Sequence, residues 1–183
     1  MGKDAVAAGD RGVTLVLGGT RSGKSAYAEG LLDGHSMPSY VATAERGADM
    51  SQRIAAHQAR RGPHWRTVEV PLDLASGLND LDDCGAATLV DSLTVWLGNL
   101  LHHNVDVAAA QRALVTQLGK TRGKIVVVAS EVGLGIIPAN AAAREFADVA
   151  GQLNQALAAS AHTVVAVMGG LPLALKGQLN GPG

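Results

Sequence analysis

The chain has 183 residues, 47% of them hydrophobic, and a formal net charge of −1. That length suits one domain with a single core, and the apolar share excludes general disorder. The near-neutral balance gives no electrostatic case for nucleic acid or an anionic membrane as partner, and a single cysteine, Cys84, excludes an internal disulfide and fits a reducing compartment.

Met1 to Gly12 is rich in Ala, Gly and Asp, has no apolar run of the kind a signal peptide needs, and reads as a flexible tail. The first strand, Val13–Leu17, then runs directly into Gly18-Gly19-Thr20-Arg21-Ser22-Gly23-Lys24-Ser25, which fits G-x-x-x-x-G-K-S/T. Helix-compatible residues follow, so the motif has the strand–loop–helix context its chemistry requires. Glycines let backbone N–H groups turn inward around phosphate oxygens, and the helix start adds positive dipole. Lys24 then reaches the β- and γ-phosphates and the Ser25 hydroxyl ligates Mg²⁺. A nucleoside triphosphate, ATP or GTP, is the expected co-substrate.

Further strands are predicted at Ser39–Thr43, Thr67–Val70, Ala86–Val90, Ile125–Ala129 and Thr163–Met168. Several are continuous apolar runs, as in strands covered on both faces. Helices are predicted at Lys24–Asp33, Met50–Arg61, Ser92–His103, Val107–Thr121 and Asn140–Ser160, the last with Phe146, Val149, Ala150, Leu153 and Leu157 along one face. Such alternation implies an α/β fold, a mostly parallel sheet with helices on both faces. Residues 13–176 read as one nucleotide-binding catalytic domain and 177–183 as a flexible tail. No apolar stretch reaches membrane-spanning length, and a soluble cytoplasmic protein is expected.

In such a sheet ligands gather beyond the carboxyl ends of the strands, where several unusual residues fall. Asp91 ends the Ala86–Val90 run, the place from which a carboxylate holds Mg²⁺ opposite the phosphate loop; it also suits the N-cap of a helix starting at Ser92. On a helix, Arg53, His57, Arg60 and Arg61 share one side. The guanidinium groups would grip phosphate and disfavour a protonated His57, leaving a neutral imidazole able to attack phosphorus. With Met50 and Ile54 on nearly the same face, spacing alone favours a packed structural histidine. Glu131, in the glycine-containing stretch Ser130–Pro138, is either an acceptor for a substrate hydroxyl proton beside a bulky, partly apolar ligand or a solvated surface carboxylate. Trp65, Trp96 and Tyr40 read as core or interface aromatics. His102 and His103 are adjacent on a helix end, so they should diverge and make a poor metal pair.

The ordered set of motifs resembles one family. Gly18 to Ser25, Tyr40-Val41-Ala42-Thr43-Ala44, Met50 to Glu69, Val90 to Leu101, Glu131 to Pro138 and Gly169-Gly170-Leu171-Pro172-Leu173 are similar to the bifunctional adenosylcobinamide kinases/adenosylcobinamide-phosphate guanylyltransferases of cobalamin biosynthesis. The resemblance covers nearly everything from Val13 to Lys176. It implies a three-layer, RecA-like P-loop NTPase carrying two reactions. In one, a nucleotide γ-phosphate goes to the aminopropanol hydroxyl of adenosylcobinamide. In the other, GTP guanylylates a histidine, and GMP passes to the cobinamide phosphate, giving adenosylcobinamide-GDP. His57 matches the guanylylated histidine, with His64 as runner-up. Nucleotide contacts carry over to Gly18 through Ser25, to Val41, Ala42 and Thr43, to Gln58, Ala59, Arg60 and Arg61, and to Glu69 and Asp91. Homotrimers with sites near subunit boundaries are also implied. Many relatives read Ser-Asn-Glu-Val-Gly where this chain has Ala129-Ser130-Glu131-Val132-Gly133. Two other readings stay open: a small-molecule kinase that never uses His57, and a nucleotide-gated binding or assembly module.

Overall fold

The computed structural model describes residues 11–45, 62–82 and 86–179. The predicted helix Met50–Arg61 and Cys84 lie outside the described residues, as do His57, Gln58, Ala59, Arg60 and Arg61.

Among the described residues seven strands form one sheet: β1 (Gly12–Gly18), β2 (Ser39–Ala42), β3 (Arg66–Glu69), β4 (Thr88–Asp91), β5 (Lys124–Ser130), β6 (Thr163–Met168) and β7 (Leu171–Lys176), in the order β3-β2-β4-β5-β1-β6-β7. β1 through β6 are parallel and β7 is antiparallel to β6. Five described helices accompany them: α1 (Lys24–Gly30), α2 (Leu74–Asp82), α3 (Leu93–His102), α4 (Val107–Lys120) and α5 (Ala141–Ser160). The α/β architecture expected from the strand–helix alternation is the one observed.

Alternate residues of the central strands feed two cores. Val13, Leu15 and Leu17 of β1 pack with Leu74 and Leu78 of α2, Trp96 and Leu100 of α3, Leu114 of α4 and Leu153 of α5. Val16 faces the other way, with Ala28 of α1, Leu32 and Tyr40. Four described helices thus cover one face and α1 the other. β1 and β5 are buried on both sides, which is why their sequences are nearly unbroken runs of Val, Leu and Ile. Tyr40 and Trp96 are buried, and Tyr40 meets Trp65 edge to face at 6.5 Å between centroids, so all three act as core aromatics.

Two elements were not anticipated. α2 carries Leu74, Leu78 and Leu81 at helical spacing, all buried, but the segment is short and rich in Asp, Asn and Gly. β7 returns from β6 through Gly169-Gly170, both with positive φ, which is the two-residue hairpin turn that Gly-Gly between apolar runs signals. Strand and helix ends also shift by a residue or more. α1 stops at Gly30 rather than Asp33, the chain passing into turns that lead to Gly34 at φ +96°.

Candidate active site

Because β1 to β6 run in parallel, Gly18, Ala42, Glu69, Asp91, Ser130 and Met168 all end on one edge of the sheet. The register sharpens this. Ala42 is paired with both Glu69 and Asp91, so those three stand in one cross-strand row, while Gly18 stands opposite Ser130. β5 lies between β4 and β1. Asp91 is therefore two strand spacings, about 10 Å, from the strand that carries the glycine-rich loop.

The loop is built on close backbone approaches. Gly18 admits no side chain, because a Cβ there would come within 2.6 Å of the Val167 carbonyl and 2.5 Å of Ser22 Oγ. Gly23 has φ +94° and is the N-cap of α1. The Ser22 carbonyl accepts from the Gly170 amide at 2.9 Å, tying the loop to the β6–β7 turn. Ser22 Oγ accepts from the Lys24 amide at 3.4 Å. The Lys24 side chain curls back so that Nζ donates to the Gly19 carbonyl at 3.0 Å, which holds the ammonium over the loop. Thr20, Arg21 and Gly23 are exposed, and Ser25 is half-buried at the start of α1.

Asp91 closes β4, and Ser92, not Asp91, is the N-cap of α3. The capping reading of Asp91 is therefore set aside. Asp91 and Ser25 both offer hard oxygen donors. That chemistry fits Mg²⁺, which takes one or two protein oxygens and completes its shell with substrate phosphates and water. Among the described residues, no three His, Cys, Asp or Glu side chains converge as a self-sufficient metal site.

Thr43 and Val41 are fully buried, and the Thr43 hydroxyl is spent on Ser92. Glu69 is exposed at the end of β3. His64, the runner-up nucleophile, packs against Trp65 at 6.2 Å between ring centroids. His102 and His103 do not diverge: their rings meet edge to face at 5.0 Å, and His103 Nε2 contacts Glu45 Oε1 at 2.6 Å. His103 is the C-cap of α3, with φ −90° and ψ 6°.

Glu131 lies directly beside the loop. Its amide donates to the Gly18 carbonyl at 3.2 Å, and its Oε1 accepts from Asn154 Nδ2 at 2.8 Å. The preceding Ser130 amide donates to Thr94 Oγ1 at 2.7 Å. Neither Asn154 nor Thr94 was singled out from the sequence, where a lone polar residue on an otherwise apolar helix face was the only available signal. Beyond Glu131, Val132, Leu134, Ile136 and Ile137 are exposed, forming an apolar lip at the same edge.

A phosphate cradle opening from β1, with a carboxylate ending a strand two places away, defines a P-loop nucleotide-binding protein. Solved structures agree on the fold: the chain aligns with an ATPase of the type III secretion system of pathogenic bacteria at a TM-score of 0.51 and 13% identity, over 85% of this chain and 50% of that one. The particular family follows from sequence. Residues 14–175 match the model of the family described as cobinamide kinase / cobinamide phosphate guanyltransferase. The chain is 44% identical over 168 residues to the bifunctional adenosylcobalamin biosynthesis protein CobP of Pseudomonas aeruginosa, covering 90% of this chain and 97% of that protein. It is 37% identical over 186 residues to the corresponding CobU protein of Salmonella typhimurium, covering 88% and 98%. This chain belongs to the cobinamide kinase / cobinamide phosphate guanyltransferase family.

Proposed function

We propose that this chain performs both reactions of its family on adenosylcobinamide, with Glu131 as the base of the kinase step and His57 as the carrier of GMP. In phosphorylation, the aminopropanol oxygen attacks the γ-phosphorus, the bond to the β–γ bridging oxygen breaks, and Glu131 takes the hydroxyl proton. Lys24 and the amides of residues 18–25 stabilise the charge on the migrating group. A bound Mg²⁺, held by Ser25 and Asp91, would neutralise charge on the phosphate oxygens. In the second reaction a neutral His57 nitrogen attacks the α-phosphorus of GTP and pyrophosphate leaves. An oxygen of the cobinamide phosphate then displaces the imidazole, giving adenosylcobinamide-GDP.

The observation that carries the kinase assignment is the 3.2 Å bond from the Glu131 amide to the Gly18 carbonyl, which keeps a carboxylate-bearing residue against the mouth of the phosphate loop. Family membership, together with His57 among Arg53, Arg60 and Arg61, supports the guanylyl half. The apolar lip of Leu134, Ile136 and Ile137 suits the hydrocarbon flank of a corrinoid. Nucleotide contacts are assigned to Gly18 through Ser25, Ala42, Gln58, Ala59, Arg60, Arg61, Glu69 and Asp91, with the fully buried Val41 and Thr43 supporting that edge from within. One domain must present α- and γ-phosphorus to different acceptors, so either the 50–61 segment moves or the nucleotide takes two poses.

The proposed assembly is a homotrimer. Leu171, Leu173 and Leu175 project from one side of the sheet's end strand at 75%, 58% and 58% exposure, a row that a subunit contact would cover. The proposed compartment is the cytoplasm, in keeping with the single cysteine; no described helix is long and apolar enough to cross a membrane.

The test uses GTP labelled at the α-phosphate, followed by denaturation. Acid-labile label should remain on the protein and vanish in His57→Ala, which should still phosphorylate adenosylcobinamide. Phosphorylated product without retained label would reduce the chain to a kinase. Neither product, with nucleotide-dependent self-association instead, would make it a binding module.

A further inference from the structure

Asn154 sits on the buried face of α5 between Leu153 and Leu157 and is only 7% exposed. An amide among apolar side chains is costly unless its hydrogen bonds are made. Its Nδ2 donates to Glu131 Oε1 at 2.8 Å and to the Ser130 carbonyl at 3.3 Å. Both partners are acceptors, so chemistry alone requires the nitrogen rather than Oδ1 to face them. Glu131 is thus held from three sides: its amide by Gly18 of β1, the residue before it by Thr94 of α3, and its carboxylate by α5.

The loop that follows is exposed throughout residues 132–137. Among the described residues it is the Asn154 amide that fixes the Glu131 rotamer. We propose that Asn154 is a positioning residue for the kinase step: it anchors Oε1 of Glu131 so that the second carboxylate oxygen meets the substrate hydroxyl. This rests on the reading of Glu131 as the base. Formation of the histidine–GMP bond deprotonates no hydroxyl, so Asn154 serves one of the two reactions and not the other.

That asymmetry supplies the experiment. Asn154→Asp keeps the size of the side chain but replaces the donor with a carboxylate facing a carboxylate. Asn154→Ser, too short to reach Glu131, is the second variant, and Glu131→Gln is run in parallel. Phosphorylation of adenosylcobinamide is followed with nucleotide labelled at the γ-phosphate, and covalent capture with GTP labelled at the α-phosphate reports the other half-reaction and the integrity of the fold. Both Asn154 variants should lower kcat for phosphorylation by about 10- to 100-fold, a part of the roughly 100- to 10,000-fold that a general base contributes. KM for the corrinoid and the capture rate should stay within about twofold, and Asn154→Asp should add nothing in a Glu131→Gln background. Wild-type kinase kcat in Glu131→Gln would overturn the base assignment. A crippled Glu131→Gln beside unimpaired Asn154 variants would overturn the positioning role alone, as would equal loss of both half-reactions in those variants.

Discussion

The Thr43 hydroxyl donates to the Ser92 carbonyl at 2.8 Å and accepts from the Ser92 amide at 2.9 Å. One side chain therefore fastens the tip of β2 to the residue that follows Asp91 on the neighbouring strand. The Thr43 carbonyl in turn accepts from Asn99 Nδ2 at 2.7 Å, and the same amide reaches the Pro71 carbonyl at 3.0 Å. The ends of β2, β3 and β4 are knotted together beneath the edge where phosphate and metal are expected.

Thr43→Val keeps the shape but strands the Ser92 amide in a buried setting, while the Ser92 carbonyl keeps the Trp96 amide as donor at 3.1 Å. Such a stranded group costs about 1–3 kcal/mol. Urea unfolding should show a loss of about 1–3 kcal/mol, whereas Thr43→Ser should lose about 1 kcal/mol or less, the scale of one buried methyl. A Thr43→Val midpoint equal to that of the wild type would show that the knot is energetically idle.

Gly23→Ala asks whether the loop tolerates a side chain where φ is +94°. The left-handed conformation costs an alanine about 1–2 kcal/mol, and the new Cβ would lie 3.2 Å from the Gly170 Cα, a backbone atom that does not yield easily. Calorimetric titration should show nucleotide affinity falling at least about tenfold, since 1.4 kcal/mol is tenfold in Kd. Unchanged affinity would mean that the loop adjusts independently of the β6–β7 turn.

The paired change Leu171→Ser and Leu173→Ser targets the exposed row on β7, whose side chains make little of the core. Sedimentation should show smaller particles than the wild type, with the melting temperature of the isolated subunit little changed. An unaltered oligomer would remove this face from the proposed assembly.

Tyr27 on α1 packs against the smaller core, and burial raises its phenol above the ordinary value of 10.0. In the unfolded chain the phenol ionises first, so above about pH 10 the unfolded state binds fewer protons and stability falls as pH rises. Tyr27→Phe should flatten that alkaline loss while leaving the denaturation midpoint at pH 7 nearly unaltered. An identical alkaline decline in the two proteins would assign it to other groups.

Local signals in the chain were enough to place the phosphate loop, because its glycines, Lys24 and Ser25 are contiguous and the flanking Val13–Leu17 run announces a strand by itself. The same holds for the six parallel strands and the long helix ending at Ser160, whose periodicities are written in neighbouring residues. Only the tertiary structure decided that β5 separates Asp91 from the loop, that Thr43 is committed to Ser92, and that Asn154 holds Glu131. The side-chain partnerships join residues 23 to 56 positions apart, strand order joins residues farther apart still, such as Gly18 and Ser130, and nothing in a local pattern encodes which distant polar group a buried amide will meet. β7 and α2 fall between these cases. Their signals, Gly169-Gly170 and the Leu74, Leu78, Leu81 spacing, stand in the sequence but are too short to outweigh their flanks until the sheet supplies the surface they pack on.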